Sequence, residues 1–424
     1  MKVGNSMQTH NNHTPVRTKP WDFGLVSTAE IGELEKEYVL RVLDKKRVFR
    51  YSGSDNELSE AYQLEKLYSD RLGVQYCLGV NAGTSALVVA LIGAGIGPGD
   101  EVIVPAYTYI ATAAAVLIAR AVPVIVDVDD TLTMDPQALE AAITPYTKAV
   151  IPVHMRGVPC QMDEIMAVAT KHNLIVIEDV AQANGGSYKG KALGSIGNAG
   201  CFSFQQYKLV TAGEGGMLVT NDPSINARAM IYHDSAFVYW DMNKMAETVP
   251  FAGENYRLSE LNAALALAQS QRIDSLVSRL QKIKSNIVDG IKDIAQIQLQ
   301  RIPDPQGDLS YSLVFYLDTL EQSEQFSKLL VKEGIPNGTI NNNGFADRHI
   351  FKNWKYVMEK QGASENDTPW NCQSYKGNVQ YSQDMCPQTI DWLNRAIAIN
   401  LHQNMTDDDC NDVIEAIRKV AATL

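Results

Sequence analysis

The sequence withholds most of the features that would declare a function at once. Its six cysteines, at 77, 160, 201, 372, 386 and 410, include no CxxC pair. That leaves no thiolate zinc ribbon and no dithiol redox motif, and scattered reduced thiols fit a cytoplasmic protein. Basic residues are outnumbered, 37 against 49 acidic ones, for a formal net charge of −12. With no basic stripe interleaved with aromatics, that balance argues against nucleic acid or an anionic membrane surface as a partner. One uncharged stretch, VIVPAYTYIATAAAVLIA at 102–119, is just long enough to raise a membrane-spanning helix. Pro105 interrupts it, and it parses better as a buried strand followed by a small-residue helix. The first twenty residues are polar and lack the apolar core of a signal peptide, and His10 and His13 there have no third ligand to make a metal site. Nucleotide-binding fingerprints are missing too. The glycines of GAGIGPGDE follow a helical segment and lack the GxGxxG spacing, while Lys208 precedes Gly213, Gly215 and Gly216, the reverse of a P-loop.

What is present is a rhythm. From about Gln75, short β-branched runs alternate with helix-length segments: YCLGV then TSALVVALIGAG, EVIVPA then TAAAVLIAR, VPVIVDV then DPQALEAAI, KAVIPV then MDEIMAVATKH, and LIVIED. Apolar strands separated by helices predict an α/β architecture, a mostly parallel sheet covered on both faces, with ligands at the carboxyl ends of the strands. The 424-residue length suggests two or three structural units. The pattern predicts a flexible segment at 1–25, a large domain at 26–270 and a smaller α+β domain at 271–424. A single long helix from Arg257 to Ile291 would bridge the two domains. The smaller domain would hold strands in LSYSLVFYL and RAIAINL and a closing helix in DDDCNDVIEAIRKVAATL. Residues 337–385, rich in Asn, Gly, Asp and Gln, read as a long loop of the kind that is often functional.

Five polar segments stand at the predicted strand tips: NAGTSAL, PAYTYIAT, VHMRG, EDVAQANGG and FSFQQYK. Gly83, Thr84 and Ser85 open a helix, where free N–H groups can receive a phosphate or where Thr84 or Ser85 simply caps. Asp179 ends a strand and can pair with a protonated ring nitrogen or serve as a loop cap. Tyr109 can stack on a flat ring or pack against the sheet. Lys208, after an apolar strand and before a glycine turn, can be a desolvated Schiff-base nucleophile or a solvated surface group. Together they supply what pyridoxal phosphate requires: a phosphate acceptor, a ring stacker, a pyridinium partner and an imine lysine.

With those motifs in hand, together with GPGDEVIVPAYTYIAT, VPVIVDVD, IPVHMRG and GENYRLSELNAA, the chain resembles the DegT/DnrJ/EryC1/StrS family of pyridoxal-phosphate-dependent sugar aminotransferases over roughly residues 30–420. The resemblance implies fold type I, with a mostly parallel seven-stranded sheet in the large domain. It implies that Lys208 forms the cofactor's Schiff base, Asp179 pairs with its ring nitrogen, Gln182 contacts its ring hydroxyl and Tyr109 stacks on its face. Gly83, Thr84, Ser85 and Ser203 would bind its phosphate, completed by Asn255 from a second subunit, since such enzymes are homodimers with shared sites. Arg257 would bind a substrate carboxylate or brace the interface. A branch that replaces the lysine by histidine dehydrates its sugar, so Lys208 favours transamination with L-glutamate as donor and a sugar carbonyl as acceptor. Gln205 beside the lysine resembles members acting on sugars without a nucleotide. Arg156 stands in what is usually an HLYG-like stretch of the family, where it can receive a carboxylate or be a surface loop arginine; on the first reading the expected acceptor is an 8-oxo derivative of 3-deoxy-octulosonate for lipopolysaccharide synthesis. A scyllo-inosose or nucleoside-diphosphate keto-sugar is the alternative. Arg348, His349 and Trp354 in the long loop are further candidates for acceptor contacts. A non-catalytic sensor of the cofactor and an unrelated phosphate-binding protein are the readings from other classes.

Overall fold

The computed structural model describes residues 14–52, 58–235, 248–340, 346–364 and 368–424. His10 and His13 lie outside them. The apolar runs form strands β1 (Tyr76–Val80), β2 (Glu101–Pro105), β3 (Val122–Val126), β4 (Thr147–Val150) and β5 (Ile175–Asp179). A small hairpin, β6 (Ser187–Tyr188) and β7 (Lys191–Ala192), precedes β8 (Ala199–Ser203) and β9 (Gly216–Thr220). The main sheet has seven strands in the order β1-β9-β8-β5-β4-β2-β3. It is parallel from β8 through β5, β4 and β2 to β3, whereas β9 runs antiparallel to both of its neighbours. This is the mostly parallel seven-stranded α/β sheet expected of the large domain. Helices cover both faces because these strands are apolar on both sides, as the fully buried β2, β8 and β9 show.

A second, three-stranded antiparallel sheet joins β10 (Gln298–Leu299), β11 (Ser312–Tyr316) and β12 (Ala396–Asn400). Helices Ile273–Ile291, Leu320–Lys332 and Asp407–Ala421 pack on it through Ile287, Phe326, Val413 and Ile417. The opposite face of β11 and β12 packs on the main core, where Val314, Tyr316 and Ala396 join Tyr107 and Val128.

Three expectations need correction. The helix foreseen from Arg257 to Ile291 is two helices, Glu260–Ser270 and Ile273–Ile291. The chain breaks at Arg272 (φ −108°, ψ 2°), whose guanidinium turns back to pair with the buried Glu35 and to donate to the Glu30 carbonyl. Residues 14–25 are not a loose tail. Arg17, its side chain fully buried, donates to Asp409 at 2.7 Å and Asp412 at 2.8 Å and lies over the Trp21 ring. Trp354 is a core residue, completely buried with its indole N–H given to the Arg348 carbonyl at 2.9 Å, so it presents nothing to an acceptor. The segment around it carries only short turns, at Phe351–Asn353, Lys355–Met358 and Pro369–Asn371, among the described residues.

Candidate active site

The carboxyl end of β5 organises the site. Successive side chains of a strand point to opposite faces, so Glu178 and Asp179 serve different surroundings. Glu178 is wholly buried and accepts backbone N–H groups from Gly194, Ile196 and Gly197 at 2.7–2.8 Å. It also accepts the Nε2–H of His154 at 3.1 Å. That tautomer is fixed because Nδ1 of His154 accepts the Cys160 N–H. Glu178 is therefore a structural anchor with its acceptor capacity filled.

Asp179, on the other face, is also buried, but its partners are the Thr112 hydroxyl at 2.9 Å and the Ala181 N–H at 3.0 Å. Burial pushes its carboxyl above the ordinary range against the pull of these two donors and of the Lys208 charge. Such a carboxylate is relieved when a cation is set against it. Lys208 shows the complementary effect. Burial lowers its amine below the usual lysine range, with Asp179 opposing, so more of it is free base near neutrality. No side-chain hydrogen bond holds the amine among the described residues.

Lys208 sits in the loop between β8 and β9 and lines a cavity of about 280 Å³ with Gln182, Arg156, His349, Tyr311 and Tyr207. The structure thus brings four of the sequence-predicted residues to one pocket. Gln182 accepts from the Arg156 N–H (3.1 Å) and the Tyr311 hydroxyl (3.2 Å). Arg156 donates Nε to the Tyr107 hydroxyl (2.9 Å) and Nη1 to Ser312 (3.4 Å). His349 is oriented by Asp347 at 2.8 Å, and the Tyr109 ring lies 5.3 Å from it, 40% exposed and not taken into the core. A larger cavity of about 720 Å³ lies between helix Ile273–Ile291 and β11, but the two charged groups that line it, Lys284 and Asp308, are spent on each other at 2.5 Å.

A cradle for an anion stands at the helix Gly83–Gly93. Its N-cap is Ala82, which has no side chain to offer, and neither Thr84 nor Ser85 caps it; Ser85 instead bonds Asn81 at 2.6 Å. The first N–H groups of this helix have no partner within it. A Cβ at Gly83 would come within 2.7 Å of Ser203, and one at Gly216 within 2.5 Å of the Ala82 carbonyl. These two glycines let the end of β8 and the start of β9 close on the helix N-terminus, placing Ser203 beside it. Backbone donors, hydroxyls, a partly desolvated lysine and a buried carboxylate fit the phosphate, carbonyl and pyridinium ends of pyridoxal phosphate.

Arg257 and Asn255 do not line the Lys208 cavity, although their segment pairs with Val80 and Asn81 just before the helix Gly83–Gly93. Arg257 is engaged by Asp234 and lies over the Phe49 ring, and Asn255 is exposed on the neighbouring segment. Sequence reasoning missed Thr112, Tyr107 and Tyr311. Thr112 lay in the PAYTYIAT motif, and its spacing of four from Thr108 on the opening turn was the available signal, since the two hydroxyls meet at 2.8 Å. Nothing local marks Tyr311, which reaches Gln182 from 129 residues away in the chain.

A sequence profile of the DegT/DnrJ/EryC1/StrS aminotransferase family matches residues 29–418. GDP-perosamine synthase of Caulobacter vibrioides is 39% identical over 298 residues, 69% of this chain and 76% of that protein. The spore coat polysaccharide biosynthesis protein SpsC of Bacillus subtilis is 33% identical over 399 residues, 92% and 95% of the two chains. The crystal structure of 3-amino-5-hydroxybenzoic acid synthase superposes with a TM-score of 0.76 at 27% identity, covering 93% of this chain and 98% of that one.

Proposed function

The chain belongs to the DegT/DnrJ/EryC1/StrS aminotransferase family, and from that premise we propose that it moves an amino group from L-glutamate to the carbonyl of a sugar carried on a nucleoside diphosphate. It is a sugar aminotransferase with pyridoxal 5′-phosphate as cofactor. The observation that carries the reading is the placement of Lys208 on one cavity with Gln182, Arg156 and His349, its amine lowered by burial and opposed by the buried Asp179. The acceptor class is supported by GDP-perosamine synthase, whose name describes an amino sugar on a nucleotide. The octulosonate acceptor expected from the sequence finds no support in the relatives, and the nucleotide-linked sugar takes its place.

Bound pyridoxal phosphate supplies a carbonyl that bonds to amines and a protonated ring that draws electrons from the carbon being deprotonated. The chain supplies the rest. Lys208 Nζ would hold the cofactor through its carbonyl carbon, and the same amine, when free, would be the base placed to take the proton from the donor's Cα. Asp179 would keep the ring N–H in place, since a buried carboxylate favours a cation opposite it. Thr84, Ser85, Ser203 and the N–H groups of Gly83 to Ser85 would hold the phosphate, Gln182 would serve the ring hydroxyl and Tyr109 the ring face. Asn255 serves the phosphate site of a second copy in a homodimer. Arg156 takes the donor's carboxylate, which relocates the carboxylate role read from HMRG to the first half-reaction.

The test is a pair of half-reactions on the loaded enzyme. L-glutamate should bleach the visible absorbance, and GDP-linked or other nucleoside-diphosphate keto-sugars should restore it. Recovery with 8-oxo-octulosonate alone would overturn the acceptor class. Arg156→Ala should raise the glutamate KM about tenfold, the worth of one charge-assisted contact. Tyr107→Phe, which removes the same internal bond but no charge, should leave that KM nearly unchanged.

A further inference from the structure

We infer that Tyr311 is a positioning residue which, with the backbone N–H of Arg156, fixes the Gln182 amide so that only its N–H groups face the pocket. The inference rests on the reading above that Gln182 meets the cofactor's ring hydroxyl. It starts from a hydrogen-bond account. The Arg156 N–H lies 3.1 Å from one terminal atom of Gln182, and a backbone N–H can only donate, so that atom is Oε1. Tyr311 Oη lies 3.2 Å from the same oxygen and must also donate to it. Burial holds the Tyr311 phenol well above the usual range, with the Arg156 charge opposing, so the hydroxyl keeps its proton. Both lone pairs of Oε1 are then filled, and no acceptor takes the Nε2 hydrogens among the described residues.

The consequence is an amide that donates into the pocket and cannot accept from it. A ring oxygen placed against it is favoured as the phenolate over the phenol, because hydrogen bonds to the charged form stabilise that form. The amide is held from two directions. Arg156 adopts a left-handed conformation (φ 54°, ψ 27°), uncommon for a residue with a side chain, and its guanidinium braces that turn against Tyr107 and Ser312. Tyr311 immediately precedes β11, so the second sheet, through its first residues, sets the orientation of an amide on the loop after β5.

The experiment is a spectroscopic pH titration of the cofactor-loaded enzyme, with cofactor affinity as a second readout, for wild type, Gln182→Ala, Tyr311→Phe and the double variant. Gln182→Ala should raise the pH midpoint of the visible absorbance by about one pH unit and weaken cofactor binding about tenfold, as expected for losing one hydrogen bond to an anion. Tyr311→Phe, with the Arg156 N–H still in place, should move the midpoint the same way by about half as much, and should have no effect in the Gln182→Ala background. An unchanged midpoint and affinity in Gln182→Ala defeats the underlying reading of Gln182. A shift there with none in Tyr311→Phe, or an equal Tyr311→Phe shift in both backgrounds, defeats the positioning role itself.

Discussion

Replacing Thr112 by valine keeps the branched shape and removes one hydroxyl. In the structure Thr112 Oγ1 donates to Asp179 Oδ2 at 2.9 Å and so must accept from Thr108 Oγ1 at 2.8 Å, a short relay in which all three residues are buried. A hydrogen bond to a charged group contributes about 1.5–3 kcal/mol, and 1.36 kcal/mol corresponds to one pKa unit. Burial already pushes the Asp179 carboxyl upward, so losing the hydroxyl should push it up by roughly one to two further units, with the Ala181 N–H left as its partner. Cofactor binding draws on the ionised form, so affinity for pyridoxal phosphate should fall as the pH drops through the apoenzyme's Asp179 value. In Thr112→Val that fall should begin about one pH unit higher, measured by absorbance or fluorescence titration of apoenzyme across pH 5–9. The Thr108 hydroxyl, left with only the Tyr109 carbonyl at 3.5 Å, should also cost about 1 kcal/mol of stability. Thr108→Val in the same chain should recover much of that stability without moving the binding midpoint back. Equal midpoints in wild type and Thr112→Val would refute the claim that Thr112 sustains the Asp179 charge, and a midpoint restored by Thr108→Val would assign the effect to packing.

Two further outcomes follow from buried charges outside the reacting centre. Glu178→Gln replaces a carboxylate that accepts four N–H groups by an amide that must turn its own N–H groups either toward Gly194 and His154 or toward Ile196 and Gly197; it should cost about 3 kcal/mol or more in denaturant unfolding, and a loss under about 1 kcal/mol would contradict this role. Arg17→Ala should cost about 3 kcal/mol by stranding the buried Asp409. Burial works against the Asp409 charge, but the Thr406 N–H and hydroxyl and the Arg17 guanidinium outweigh it and hold the carboxyl well below the usual range. A depressed carboxyl contributes stability above its unfolded value, about 3.9, and loses it as the pH falls toward the folded value. The gap between wild type and Arg17→Ala should therefore be steady near neutrality and narrow below about pH 4; a gap that widens on acidification would reverse the assignment.

The parts of this protein that were readable in its sequence are those built by neighbours in the chain. The alternation of apolar runs and helical segments announced β1 to β5, and the polar tips offered Asp179 and Lys208, because strand ends and their loops are local objects, whereas Gln182 came only from the family resemblance. What was not readable depends on partners far away. The break at Arg272 exists because Glu35 is 237 positions distant, and residues 14–25 are held by Asp409 and Asp412, more than 390 positions away. Trp354 looked available because its surroundings in the sequence are polar, yet its ring belongs to the core of the large sheet. Tyr311 and Arg257 are the same lesson with opposite signs. One enters the site from a distant strand, and the other, in a recognisable motif, is occupied by Asp234.

The direction of one strand explains why Lys208 stands before Gly213, Gly215 and Gly216. Gly216 is paired at once with Val80 of β1 and Ser203 of β8, so a single line of register crosses three strands. Just beyond Val80 the chain begins the helix Gly83–Gly93, and just beyond Ser203 it begins the loop that carries Lys208. Had β9 been parallel to β8, the connection would have crossed a face of the sheet as a long segment, since parallel neighbours cannot be joined by a short loop. The antiparallel return allows a twelve-residue excursion, 204–215, that leaves and re-enters the sheet at the same edge. Ser203, the bare N-terminus of the helix and Lys208 are thereby gathered at that edge by backbone pairing alone. The glycines after the lysine, which make a poor phosphate loop, are what this return demands. Gly213 and Gly215 take positive φ (77° and 159°), and Gly216 has no side chain to hold the Ala82 carbonyl away.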